Sequence, residues 1–190
     1  MRRLINRFRH FFLLPRFREW IVNFRIFYFV QLRKQIATLN SEKGFNVTVK
    51  HNMKSLRQCN KRMEMIIKPI SVIEKVKHNA RILVIGPRNE NDLFLLFGNG
   101  FDWENIYGLD LISYSPRIKL GDMHSIPFEE NFFDAVICGW TLSYSAQPQA
   151  AADEILRIIK SGGTIGIGVE YSTMTKEDTE HLLKYSIQFR

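Results

Sequence analysis

The chain has 190 residues, 45% of them hydrophobic and 24% charged, which supports one proper core and an appendage rather than two full domains. Its two cysteines, Cys59 and Cys138, match neither a disulfide framework nor a zinc-ligand spacing, so a reducing, cytoplasmic setting is expected and a metal is not. Residues 1–34 carry nine arginine and lysine side chains against Glu19 alone, which is the whole of the formal net charge of +8; the rest of the chain lacks the basic footprint of a polyanion binder.

In residues 1–40 arginine alternates with aromatic and aliphatic side chains, as in Phe8, Phe11, Phe12, Phe17, Trp20, Ile21, Phe24, Phe27 and Tyr28. Spacings of three and four predict a basic amphipathic helical arm, broken at Pro15 into a short piece and a longer one from Arg16 to Leu39. Arg25 interrupts the apolar run, so no segment reaches the roughly 20 residues that span a bilayer. Such an arm suits the surface of an anionic membrane, where rings insert and guanidinium groups meet lipid phosphates. It suits equally well packing on the remainder of the chain or on a partner, and RNA contact is the weaker third reading.

Residues 41–79 read as a linker and helical lead-in: a turn at Ser41–Gly44, a short alternating strand at Phe45–Val49, and a helix over Met53–Lys77 broken around Pro69. From residue 80 to 190 the pattern changes. Short β-rich runs at Arg81–Gly86, Asn105–Leu109, Ile118–Leu120, Phe133–Gly139 and Thr164–Glu170 predict five strands. A helix is predicted over Gln147–Lys160, with Ser161-Gly162-Gly163 as its stop, and a helical tail over Lys176–Tyr185. Alternation of this kind predicts an α/β fold, a Rossmann-like doubly wound parallel sheet of about five strands whose ligand sits at the carboxyl ends of the strands.

The blocks RILVIGPRNENDL, NIYGLDLISYSP, IKLGDMHSIPFEENFFDAVICGWTLSYS and EILRIIKSGGTIGIGVE, in this order and spacing, resemble successive motifs of the class I S-adenosylmethionine-dependent methyltransferases. The resemblance covers roughly half of the chain, and its third and fourth blocks are the most specific part. It implies S-adenosylmethionine as cofactor. It also implies that Gly86 lets the backbone approach that cofactor, that Asp110 with Leu111 holds the ribose and packs on adenine, and that Asp122 with the Met123 amide meets the adenine edge. Gly139, Trp140 and Thr141 then close the pocket. Asp110 lies 24 positions after Gly86, near the spacing of about 20 between such a glycine and its ribose-binding acid.

Two departures from the family pattern stand out. Val84 replaces the usual acid, and the loop reads Gly86-Pro87-Arg88-Asn89-Glu90 instead of a glycine-rich run; Arg88 and Glu90 are expected to meet the cofactor carboxylate and ammonium, or else to form a salt bridge or place a Glu at a helix N-terminus. Only Leu111–Arg117 joins the second strand to the third, which leaves no room for a crossover helix. Methyl transfer to a small-molecule or glycan-type acceptor is the leading expectation, with His124, Tyr144 and Tyr114 placed just after strand ends as candidates to face that acceptor. The rival is a non-catalytic methyltransferase-like scaffold or partner-binding module, attached to a membrane through its arm; either is compatible with an oligomer.

Overall fold

The computed structural model describes residues 8–39, 43–145 and 147–169. A 3-10 turn at Arg9–Leu13 leads to Leu14 in an extended conformation, and Pro15 then occupies the first turn of helix α1 (Pro15–Ile26), where its missing N–H costs nothing. The expected break at Pro15 is present. The helix widens into a π-helical turn at Phe27–Leu32 and stops there, seven residues short of the expected Leu39. Strand β1 (Ala37–Thr38) follows. The lead-in is helical where a strand was expected over Phe45–Val49: α2 runs Lys43–Lys54, and α3 runs Glu64–Ser71 with Pro69 inside its last turn rather than at a break. A period-two pattern five residues long does not distinguish a strand from a helix without a partner strand.

The main sheet then forms as expected. Strand β2 (Ile82–Ile85) is followed by α4 (Asn91–Gly98), β3 (Ile106–Asp110), a two-residue strand β4 (Ile112–Ser113), β5 (Ile118–Leu120), β6 (Phe133–Gly139), α5 (Pro148–Ile158) and β7 (Ile159–Gly168). Strands β2, β3, β5, β6 and β7 form one parallel sheet in the order β5-β3-β2-β6-β7. The order reverses beside β2, the crevice where ligands bind in sheets of this type. No helix joins β3 to β5. Strand β4 instead turns aside to pair antiparallel with β1, so the segment after the arm occupies the edge that a crossover would cover.

All four residues of β2 are buried because both faces of the sheet are covered. On one face Ile82, Val84, Ile106, Ala135 and Ile137 pack with Val22 and Ile26 of the arm, Ile67 and Ile70 of α3, and α4. On the other face Leu83, Ile85, Leu109, Val136 and Cys138 meet Ile155 and Ile158 of α5. Val22 and Ile26 of the arm therefore pack in the same core cluster as the sheet. A β-carbon on Gly166 would stand 2.6 Å from Ile66 and Ile70, so glycine is what allows α3 to lie this close to β7.

Ser161-Gly162-Gly163 does not stop α5. The helix ends at Ile158, Ile159 is already extended, and the pairing jumps from Phe133↔Ile159 to Ala135↔Thr164, so Lys160–Gly163 bulges from the strand with Gly162 at φ +73°. Glu170 and the helix expected over Lys176–Tyr185 lie outside the described residues.

Candidate functional site

Four strand ends meet at the carboxyl edge of the sheet. Gly86 follows β2, Asp110 ends β3, Asp122 follows β5, and Gly139-Trp140-Thr141 end β6. Gly86 has φ +71°, and an added β-carbon would lie 2.3 Å from Thr141 Oγ1, so the residue is glycine for backbone and contact reasons alike. That contact is with Thr141 of the same chain, whose Oγ1 also donates to the Ile85 carbonyl at 3.2 Å. Gly139 is tight for a comparable reason, since Met63 of the lead-in packs directly over it.

The loop after β2 is held by side chains where a glycine-rich loop would rely on backbone freedom. Glu90 is fully buried and receives a bidentate pair from Arg25 of the arm, Nε at 2.6 Å and Nη2 at 2.8 Å. Ser115 Oγ donates to the same carboxylate at 2.8 Å, and the Glu90 N–H donates to the Tyr114 hydroxyl at 3.1 Å. Asn89 Nδ2 donates to the Leu56 and Gln58 carbonyls, and Asn91 Oδ1 accepts from Arg18 Nε at 3.1 Å. Arg18, 1% exposed, reaches on to Glu64 at 2.7 Å. Of the roles expected for Glu90, the structure has the salt bridge, with Arg25, and the helix N-terminus, at the N-cap of α4, so its carboxylate is committed to the arm and not open to a cofactor ammonium; Tyr114, expected near an acceptor, is buried beneath it.

Asp110 is 4% exposed. Its Oδ2 accepts the Arg88 N–H at 2.7 Å and its Oδ1 the Ile112 N–H at 3.2 Å. Burial pushes its carboxyl up to about 6, against the opposing pull of these backbone donors and the Arg88 charge. The Leu111 N–H also donates to it, and an ionised carboxylate has about four acceptor positions, so about one remains. Arg88 is left-handed at φ +56°, and its Nε is buried without a hydrogen-bond partner among the described residues. A buried guanidinium N–H left unpaired is costly, which marks it as a donor awaiting an acceptor. Leu111 is half-buried, and its carbonyl accepts from Leu39.

Asp122, His124 and Ser145 form a hydrogen-bonded chain. Asp122 Oδ1 contacts His124 Nδ1 at 2.7 Å, and His124 Nε2 contacts Ser145 Oγ at 2.7 Å. The His124 N–H also donates to Asp122 at 3.1 Å, and Ser145 Oγ accepts the Gln147 N–H at 3.1 Å. A carboxylate only accepts, so Nδ1 carries a proton; in the neutral ring the serine hydroxyl then donates to Nε2. The contact links the loop after β5 to the loop after β6, two strands that β3 and β2 separate in the sheet. Met123 packs on the second core cluster. Trp140, left-handed at φ +60°, donates its N–H to the Gly168 carbonyl at 2.7 Å and receives Arg62 over its ring, whereas Tyr144 is exposed.

Arg25, Ser115 and Ser145 escaped sequence reasoning. For Arg25 a signal existed: Arg18, Val22 and Ile26 fall on one helical face at spacing four, with Arg25 at its margin, and that is the face which turned inward.

The parallel order β5-β3-β2-β6-β7, with Asp110 ending β3, Asp122 two residues after β5 and a left-handed glycine after β2, is that of a Rossmann-like doubly wound sheet. Residues 98–167 match the model of the methyltransferase domain family. Among solved structures, the putative methyltransferase in complex with the Haloferax volcanii Trm112 methyltransferase activator is 19% identical, with 80% of this chain and 75% of that one covered at a TM-score of 0.52. A putative sarcosine dimethylglycine methyltransferase from Galdieria sulphuraria is 18% identical, with 88% and 65% covered, also at 0.52. Uncharacterized proteins of Mycobacterium bovis and Mycobacterium tuberculosis are 42% identical over 43 residues, a match spanning 23% of this chain and only 16% of their length. The chain carries a class I S-adenosylmethionine methyltransferase-like domain.

Proposed function

We propose that the protein binds S-adenosylmethionine at the carboxyl ends of β2, β3 and β5 and transfers its methyl group to a hydroxyl of a small-molecule or glycan-type acceptor. The Nε of Arg88, in the loop that itself donates a backbone N–H to Asp110, carries the reading: a buried donor without a partner among the described residues and an acceptor with a spare position lie together at the strand ends. These fit the cofactor carboxylate and ribose hydroxyls respectively. Gly86, Leu111, Asp122, Met123, Gly139 and Trp140 complete the proposed set, and Glu90 drops out because Arg25 occupies it.

When bound, the cofactor supplies an electrophilic methyl group on a sulfonium. The chain contributes orientation, water exclusion and a proton acceptor. Asp122 keeps the His124 proton on Nδ1, so Nε2 is free to receive a proton from whatever hydroxyl replaces Ser145 against it. Asp122 is in this role a positioning residue and His124 the base.

Transfer of isotopically labelled methyl groups to a panel of hydroxylated small molecules and sugars tests the reading. Replacement of Asp110 by Ala is expected to weaken cofactor affinity by about 1.5–3 kcal/mol, the range for hydrogen bonds to a charged group. His124→Gln is expected to lower turnover with little change in that affinity; label transfer unchanged in both variants would refute these roles.

A second reading, a non-catalytic partner-binding module, draws on the outer strand β7, where Ile165 and Ile167 are exposed in alternation, with Val169 exposed just after it. The Haloferax volcanii methyltransferase is itself found with an activator.

A further inference from the structure

Helix α1 has two apolar faces, and the fold covers one. Val22 and Ile26 are buried in the core, and Arg18 and Arg25 on the same side are tied to Glu64 and Glu90. The opposite side carries Trp20 at 62% exposure and Phe24 at 58%, their rings stacked at 6.1 Å. Phe17 extends this row at 6.2 Å from Trp20, Phe11 lies 5.7 Å beyond it, and Phe8 6.0 Å beyond that. Phe27, Tyr28 and Leu32 continue it along the π-helical turn. Phe17 and Tyr28 touch the core margin through Phe12 and Phe29, whereas Trp20 and Phe24 leave most of their apolar area in water.

We propose that this outer face seats the protein on an anionic lipid surface, with α1 lying in the headgroup plane. Charge selects the occupant. Arg16, one turn before Trp20, is exposed, as are Arg33 and Lys34 at the far end of the ladder, against the exposed acid Glu19; Arg18 and Arg25 lie on the core side, paired with Glu64 and Glu90. A second copy of the chain would present the same positive face and be repelled. Rings that sink into the headgroup boundary, flanked by cations that meet lipid phosphates, match an in-plane helix, and no helix among the described residues is long and apolar enough to cross the bilayer. The buried side of the same helix holds Glu90 two residues from Arg88, so a seated arm places the lipid on the α1 and α4 side of the sheet.

Flotation of the full chain with vesicles tests this. Vesicles of phosphatidylcholine with about one-third phosphatidylserine are expected to carry the protein, pure phosphatidylcholine far less, and added salt to weaken the binding. Trp20→Ser with Phe24→Ser, both on the exposed side, is expected to reduce partitioning by about tenfold or more while the urea midpoint stays near that of the parent. Brominated lipid is expected to quench the parent's fluorescence and to lose most of that effect in Trp20→Phe, in which Trp103 and Trp140 remain. No partition of the folded chain into anionic vesicles, equal partition of the double variant, or unchanged quenching in Trp20→Phe overturns the proposal; so does preferential binding of an acidic polypeptide that protects Trp20 while vesicles do not.

Discussion

Substitution of Arg25 by Met isolates the contact that binds the arm to the strand-end loop. Glu90 is fully buried and Arg25 28% exposed, so the change leaves an ionised carboxylate in the interior with Ser115 as its main remaining side-chain donor. Breaking a buried pair by removing one partner costs about 3–5 kcal/mol, and the partial exposure of Arg25 places this case near the lower end, about 3 kcal/mol. With a urea slope of about 2 kcal/mol per molar, the unfolding midpoint falls by about 1.5 M. The double variant Arg25→Met/Glu90→Gln removes both charges and is expected to regain at least half of that loss, because an amide is far cheaper to bury than a carboxylate. A midpoint shift in Arg25→Met worth under about 1 kcal/mol, the range of exposed pairs, would refute the account of the arm as part of the core.

Asp92 provides a pH-dependent counterpart. Burial pushes its carboxyl from the ordinary 3.8 up to about 7, opposed by the Asn91 amide and the Arg18 and Arg88 charges. Between about pH 4 and 7 the folded chain keeps a proton that the unfolded chain has released, so this group's contribution to stability falls by about 1.4 kcal/mol per pH unit as pH rises and is lost above its folded value. Asp110 acts in the same direction up to about pH 6. Asp92→Asn is expected to flatten the slope of urea stability against pH by one proton; an unchanged slope would contradict the assignment. Gly86→Ala forces a side chain into a left-handed position and against Thr141, and is expected to cost about 1–3 kcal/mol in thermal unfolding. Partial recovery in Gly86→Ala/Thr141→Ala would identify the clash, and no recovery would leave backbone strain as the cause.

The sheet was legible because fully buried parallel strands are written as short aliphatic runs ending in glycine or an acid, and β3, β5 and β6 fall within a residue of their expected bounds. The lead-in was not, since alternation over Phe45–Val49 has no partner strand to make it real, and α2 forms instead. Position in sequence placed Gly86, Asp110 and Asp122 together at one edge, but it does not report which buried polar groups face each other. Glu90 found Arg25 at a separation of 65 residues, and His124 found Ser145 at 21. Such pairings depend on how loops fold back over the sheet, which local periodicity does not encode. The arm shows the same limit from the other side: a basic helix with apolar side chains on two sides reads alike whether its outer face meets lipid, partner or water, and only the buried Val22 and Ile26 reveal which face the core took.

Calorimetric titration of the full chain with S-adenosylmethionine and S-adenosylhomocysteine, against a dinucleotide as control, tests the central claim most directly. Saturable binding of both sulfur nucleosides, lost or weakened in Asp110→Ala, with the dinucleotide silent, is the predicted result. A folded chain that binds neither would contradict the cofactor site proposed at Arg88 and Asp110.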